Sequence, residues 1–227
     1  MSSVVRLNVI VEGQTEETFV RDILQSHLAN LGVYTAVRCV EKGRRHGRIH
    51  RGGMTTYARA KGDIRRWLLE DLSAYLTTMF DLYGLPADFP GVNQAQSIRD
   101  PYQRVRALES GLAADVPSQR FIPHIQLHEF EGLLFSDVQV IDQVLRVHGS
   151  SQLAELAQVR DQFQTPEEID DGRETAPSKR LKHLYPGYDK VAFGVRIAQR
   201  IGLDAIRREC PHFDEWVSKL EALAGQT

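Results

Sequence analysis

The sequence is poor in cysteine, has no long apolar run and carries almost no net charge, and each absence narrows what the chain can be. Only Cys39 and Cys210 occur among its 227 residues. Two distant thiols argue against a disulfide framework and against a structural zinc site. No apolar stretch approaches the ~20 residues that span a bilayer. The start of the chain runs directly into Val4-Val5-Arg6-Leu7, without a charged, apolar and small-residue leader pattern, so the expected compartment is the cytoplasm and no membrane partner is expected. The formal net charge is −2, so any nucleic-acid footprint has to be a local patch. Neither a GxGxxG nor a GxxxxGK[ST] pattern is present, which excludes the familiar nicotinamide and P-loop ATP sites.

What is present is an α/β pattern. Val4 to Val11 is a short apolar run ended by Glu12-Gly13, the mark of a buried parallel strand. Thr15 is expected to cap a helix with Phe19, Ile23, Leu24, Leu28 and Leu31 on its apolar face, closed by Gly32. Val33 to Val40 reads as a second strand, completing a βαβ unit. The Gly-, Arg- and His-rich stretch from Glu41 to Gly53 breaks all periodicity and reads as a loop. A helix bearing Tyr57, Ile64, Trp67 and Leu68 follows, then a strand from Tyr75 to Phe80 ended by Asp81. After a long connection from Gly84 to Pro101 come a helix over Tyr102 to Leu112 and a fourth strand, Phe121 to Leu127. Beyond Asp137 the pattern is helical only. The expected organisation is an α/β domain over residues 1–136 and a helical extension over 137–227 packed on the same domain.

Three of these strands end in acids: Glu12, Asp81, and Glu129 or Glu131. Ligands of open parallel sheets bind beyond the carboxyl ends of the strands. If the strands are neighbours, carboxylates crowd there, and a hard divalent cation relieves their repulsion. Mg²⁺ takes one or two carboxylates plus substrate phosphates, which suits phosphoester chemistry; Mn²⁺ is the other ion considered. Glu16 and Glu17 suit the positive end of the first helix. His124 and His128 share one face of the fourth strand by period two, raising a zinc alternative with Glu131.

Two basic segments fit phosphate. Lys42, Arg44, Arg45, Arg48 and Arg51 crowd the Gly-rich loop at the end of the second strand, beside His46 and His50. Ser178-Lys179-Arg180 opens a helix after Pro177, where Lys179 and Arg180 are placed to hold an anion or to pair with Glu167, Glu168, Asp170 and Asp171.

Val9-Ile10-Val11-Glu12-Gly13-Gln14-Thr15-Glu16 resembles the opening of a Toprim-type domain, the fold of topoisomerases, primases and OLD-family nucleases. Leu76 to Pro86, His128 to Phe135 and Pro177 to Leu181 resemble a bacterial family known as domain of unknown function 4276, placed among Toprim-like proteins. The resemblance runs from about Val5 to Leu220. It implies a Toprim-like parallel-sheet core with flanking helices and a helical extension. It implies that Glu12 is a general acid/base or metal ligand, and that Asp81 is the first metal-binding Asp of an Asp-x-Asp pair. Tyr83 stands where the second Asp belongs, and Asp88, Glu129 or Glu131 would complete the set, with Glu131 preferred. Glu16, Tyr83 and His128 are expected to line the site. The implied activity is that of a metal-dependent nuclease or phosphodiesterase acting on DNA or RNA, the effector of a phage-defence system served by a separate ATPase. The competing reading is a non-catalytic Toprim-like module that binds a nucleotide, nucleic acid or partner protein.

Overall fold

The computed structural model describes residues 4–45, 48–51, 54, 56–146, 149–169, 172 and 175–225, the side chains of 41–45 and 48–51 excepted. The chain divides into two compact units, one formed by residues 1–126 with 216–227, the other by residues 127–215.

The first unit is built on a parallel sheet. Its strands are β1 (Val5–Val11), β2 (Val33–Cys39), β5 (Tyr75–Asp81) and the short β6 (Phe121–Ile122) and β7 (Ile125–Gln126). The order is β2-β1-β5-β6, with β7 also pairing β5. β1 and β5 are central and buried: Leu7, Val9, Ile10 and Val11 in one, and every residue from Leu76 to Asp81 in the other, are covered. Their parallel register runs from Leu7↔Tyr75 to Val11↔Met79, which brings both carboxyl ends to one edge.

Between β1 and β2 the chain is helical throughout, as α1 (Gln14–Phe19), a π-turn over Val20–Leu24 and α2 (Gln25–Ala29). Phe19, Val20, Leu24 and Leu28 form its buried face, and Gly32 at φ +85° turns the chain into β2. Thr15 does not cap this helix. Gly13 holds the cap position, and Thr15 is buried within the first turn. α3 (Tyr57–Glu70) buries Tyr57, Ala60, Ile64, Trp67 and Leu68. At its far end the Arg120 guanidinium bonds the carbonyls of Leu68, Asp71 and Ala74 at 2.7 to 3.0 Å. A cation there satisfies orphan carbonyls and complements the helix dipole. α4 (Val92–Ala95) leads to α5 (Pro101–Asp115), whose cap Asp100 accepts from Gln103 N at 2.7 Å.

Two further expectations are corrected. The segment after β2 is not an irregular loop but an antiparallel hairpin, β3 (Glu41–Arg45) with β4 (Arg48–Arg51). A strand pair that is mostly charged, with Ile49 its one aliphatic residue, has no apolar alternation, so periodicity could not reveal it. The fourth strand is not continuous either. Pro123, which has no N–H to give the ladder, splits it into β6 and β7. The Thr78 hydroxyl bridges the gap, donating to His124 O and accepting from His124 N, each at 2.9 Å. Trp216 closes this side: its indole N–H donates to Thr77 Oγ1 at 2.8 Å, and its ring stacks on His124 at 4.3 Å.

The second unit is helical. Seven residues of 3₁₀ turn, Phe130–Ser136, are buried from Phe130 to Phe135. There follow α6 (Val138–Leu145), capped by Asp137, then α7 (Leu153–Arg160), α8 (Pro177–Leu184), α9 (Val195–Ile201), α10 (Leu203–Glu209) and α11 (Pro211–Glu221), which continues into the first unit. Buried Asp142 ties α6 to the start of α7, accepting from Tyr185 Oη at 2.6 Å, Gln152 N at 2.9 Å and Ser151 Oγ at 3.0 Å. Burial pushes the Asp142 pKa up. These hydrogen bonds, with Arg146, more than offset it and hold the carboxyl below its usual value. A depressed folded-state pKa contributes stability that is present above the unfolded value and lost as pH falls through the folded one. Asp142→Ala should therefore cost about 2–4 kcal/mol near neutrality, by removing the acceptor of the Tyr185 hydroxyl and leaving Gln152 N–H only its longer contact to Tyr185 Oη at 3.3 Å. That cost should shrink below about pH 4, the unfolded aspartate value. Urea melts of both proteins at pH 7 and pH 3 measure it.

Candidate metal site at the carboxyl edge of the sheet

The sheet register determines what meets at this edge. Glu12 follows the last residue of β1, Asp81 is the last residue of β5, and Gln126 ends β7 directly opposite Asp81. The Glu12 carboxylate turns across the edge, and its Oε2 accepts from Asp81 N at 3.3 Å. The acids expected at the ends of the first and third strands thus stand at one edge, with the Glu12 side chain on the Asp81 main chain. Glu12 is held there by the absence of a side chain. A Cβ on Gly84 would lie 2.5 Å from Glu12 Oε1 and 2.7 Å from Oε2. Gly13 makes similar room for Glu16, whose Oε2 would lie 2.9 Å from an added Cβ. Glu16 is 2% exposed and Asp81 8%, while Glu12 remains partly open.

These are hard oxygen donors in a confined space, the donor set that Mg²⁺ or Mn²⁺ prefers. Among the described residues, Glu12, Glu16 and Asp81 do not form a closed three-carboxylate cluster. Tyr83, two residues beyond Asp81, is 51% exposed on the 3₁₀ turn Leu82–Gly84. Asp88 is committed elsewhere, both its oxygens accepting from Tyr57 N at the start of α3, at 3.0 and 3.2 Å. His124 is buried, stacked on Trp216, with Nδ1 3.5 Å from Glu109 Oε1.

The remaining candidates lie in the second unit. The strand alternation used to pair His128 with His124 stops at Gln126, and His128 adopts φ +59°. A non-glycine residue in that region stores strain and re-aims the chain. Glu129 accepts from both the backbone N and the hydroxyl of Ser178, the latter at 3.1 Å. It therefore serves the N-terminal turn of α8. Glu131 is fully buried, accepting from Tyr188 Oη at 3.3 Å and paired with Lys190 Nζ at 3.2 Å. Burial, and then the charge of Glu131, raise the Tyr188 pKa far above its ordinary value.

Lys179 is exposed on the first turn of α8. Arg180 is turned back onto its own loop, donating from Nε to Thr175 O at 2.6 Å and lying over the Phe163 ring. Glu167 accepts from His212 N and Phe213 N at 2.9 and 3.0 Å, and Glu168 from Thr165 N at 2.9 Å. Asp170 and Asp171 lie outside the described residues. Arg44, Arg45 and Arg48 lie on β3 and β4, where the backbone alone is described, and His46 lies outside the described residues.

Sequence reading missed Lys190 and Tyr188, the partners of Glu131, because nothing local marks a contact nearly sixty residues away in sequence. It also missed Gly84, whose signal was faint: a glycine just beyond a strand-end acid.

No curated protein matches the chain. Among solved structures, two of the C-terminal region of the OLD protein from Xanthomonas campestris pv. campestris are similar. One is 15% identical, covering 98% of each chain at a TM-score of 0.45. The other is 17% identical, covering 92% of this chain and 97% of that one at 0.32. At these identities and TM-scores the likeness implies no shared activity. The family profile described as "Domain of unknown function (DUF4276)" matches residues 11–221. That span includes Glu12, Asp81, the His128–Glu131 segment and the start of α8, and the chain belongs to this family.

Proposed function

We propose that the protein is a metal-dependent nuclease or related phosphodiesterase acting on nucleic acid, with Glu12 and Asp81 as its working acids. The observation that carries this reading is the Glu12–Asp81 contact across two parallel strand ends, in a cradle that Gly84 leaves open. Glu12 and Asp81 would hold Mg²⁺ or Mn²⁺, and Glu16 would line the same edge. A bound ion supplies charge neutralisation at a phosphoryl oxygen and a water of lowered pKa. Glu12, the more open of the two, would move the proton. The arginines Arg44, Arg45 and Arg48 of the basic hairpin would contact backbone phosphates. Glu129 acts on the fold of α8 in this reading, and Glu131 through its pair with Lys190.

Nothing in the described helices is long and apolar enough to cross a membrane. The resemblance to OLD-family Toprim domains supports a finer picture, in which this chain works in the cytoplasm beside a separate ATPase in phage defence. The exposed Tyr83 in the second Asp position favours a second reading, a binding module without catalysis. Incubating the purified protein with single- and double-stranded DNA and RNA, in Mg²⁺, Mn²⁺ or EDTA, separates the two. The nuclease reading expects cleavage that EDTA abolishes. Retention of a nucleic acid without any cleavage supports the module instead.

A further inference from the structure

Gln126 is the last residue of β7 and the register partner of Asp81 on β5. Register partners on parallel strands project from the same face of the sheet. The side chain is fully buried, yet neither its Nε2 nor its Oε1 has a hydrogen-bond partner among the described residues. Burying an amide with both ends unmatched costs several kcal/mol. A methionine or leucine would fill the same volume without that cost. A primary amide differs from the neighbouring carboxylates in one useful respect, since it both donates and accepts.

We propose that Gln126 is a positioning residue of the metal site, its amide hydrogen-bonding the water or phosphate oxygens carried by the ion that Asp81 binds. The proposal rests on the metal-site reading above and adds to it a residue that makes no bond to the ion. Groups of this kind fix the orientation of the inner ligands, and their removal typically weakens metal affinity 10–100-fold. Glu12 and Asp81 already place two acids at this edge. A neutral donor and acceptor on the next strand orders the hydration shell without adding to their repulsion.

Two measurements on each of four proteins test this: melting temperature in EDTA, and Mn²⁺ affinity by electron paramagnetic resonance. The proteins are wild type, Gln126→Met, Gln126→Asn and Asp81→Asn. The proposal expects Gln126→Met to melt no lower than wild type in EDTA, because an unmatched amide has been replaced by apolar atoms of similar length. It expects Mn²⁺ affinity to fall about 10-fold or more. Gln126→Asn keeps the amide but withdraws it by one methylene. It should lose Mn²⁺ affinity too, and it serves if the methionine variant does not fold. A lowered melting temperature with unchanged Mn²⁺ affinity in either variant would make Gln126 a structural residue and overturn the proposal. If Asp81→Asn binds Mn²⁺ as wild type does, the metal-site reading itself fails and takes this one with it. If Asp81→Asn loses the ion while both Gln126 variants keep it, only the role of Gln126 is refuted.

Discussion

Glu12→Gln and Asp81→Asn are each expected to lower Mg²⁺-dependent cleavage of nucleic acid by about 10²–10⁴-fold, the range that a positioned acid or base contributes. Both substitutions preserve shape and remove one negative charge. The Gln amide oxygen can still accept from Asp81 N, as Glu12 Oε2 does at 3.3 Å. The backbone at this edge is therefore retained, and relief of like-charge crowding offsets any small loss. Melting temperatures in EDTA should stay within a few degrees of wild type while the single-turnover cleavage rate collapses. Loss of cleavage together with an unfolded protein would make these acids structural. Full cleavage in both variants would remove them from the mechanism.

Gly84→Ala should reproduce much of that loss without touching a carboxylate. Its Cβ would fall within 3 Å of three atoms at the tip of Glu12, its two carboxylate oxygens and its carboxyl carbon. The atoms in the way are the far end of a flexible side chain, so Glu12 swings aside and the fold tolerates the change. The expected outcome is a stability change under about 1 kcal/mol, in the range of an ordinary surface substitution, with cleavage reduced about 10²-fold. A displacement of roughly 1 Å in a reacting group is enough for a loss of that size. Gly84→Ser, bulkier still, should be no better. Parallel melts and cleavage assays of the two variants decide it. A large loss of stability with activity per folded molecule intact would show that Gly84 serves the turn alone.

The parts of the fold that were legible in the sequence are those buried by hydrophobic pattern. β1 and β5 announce themselves as apolar runs because both of their faces are covered, and α3 through Tyr57, Ile64, Trp67 and Leu68. The acids Glu12 and Asp81 were legible for a related reason. Where a buried parallel strand stops, the first polar residue stands at the edge where ligands bind. Elements held by main-chain bonds or distant contacts were not legible. The β3–β4 hairpin carries charged residues with no periodic apolar face, and the first helix is capped at Gly13, which offers no side-chain oxygen such as Thr15 has. Glu129 looked like a third strand-end acid, and only the fold reveals Ser178, 49 residues on, as its partner. Glu131 likewise met Lys190, which no local pattern indicates. The break at Pro123 could have been foreseen, since proline interrupts a ladder wherever its N–H is needed.

The central claim is that Glu12 and Asp81 hold a divalent cation at the carboxyl edge of β1 and β5. Crystals grown or soaked in Mn²⁺, with data collected at the manganese absorption edge, test it most directly. An anomalous peak within bonding distance of Asp81 and adjacent to Glu12, lost in Asp81→Asn crystals, is the predicted result. A peak at another group of side chains, or none at millimolar Mn²⁺, would contradict it.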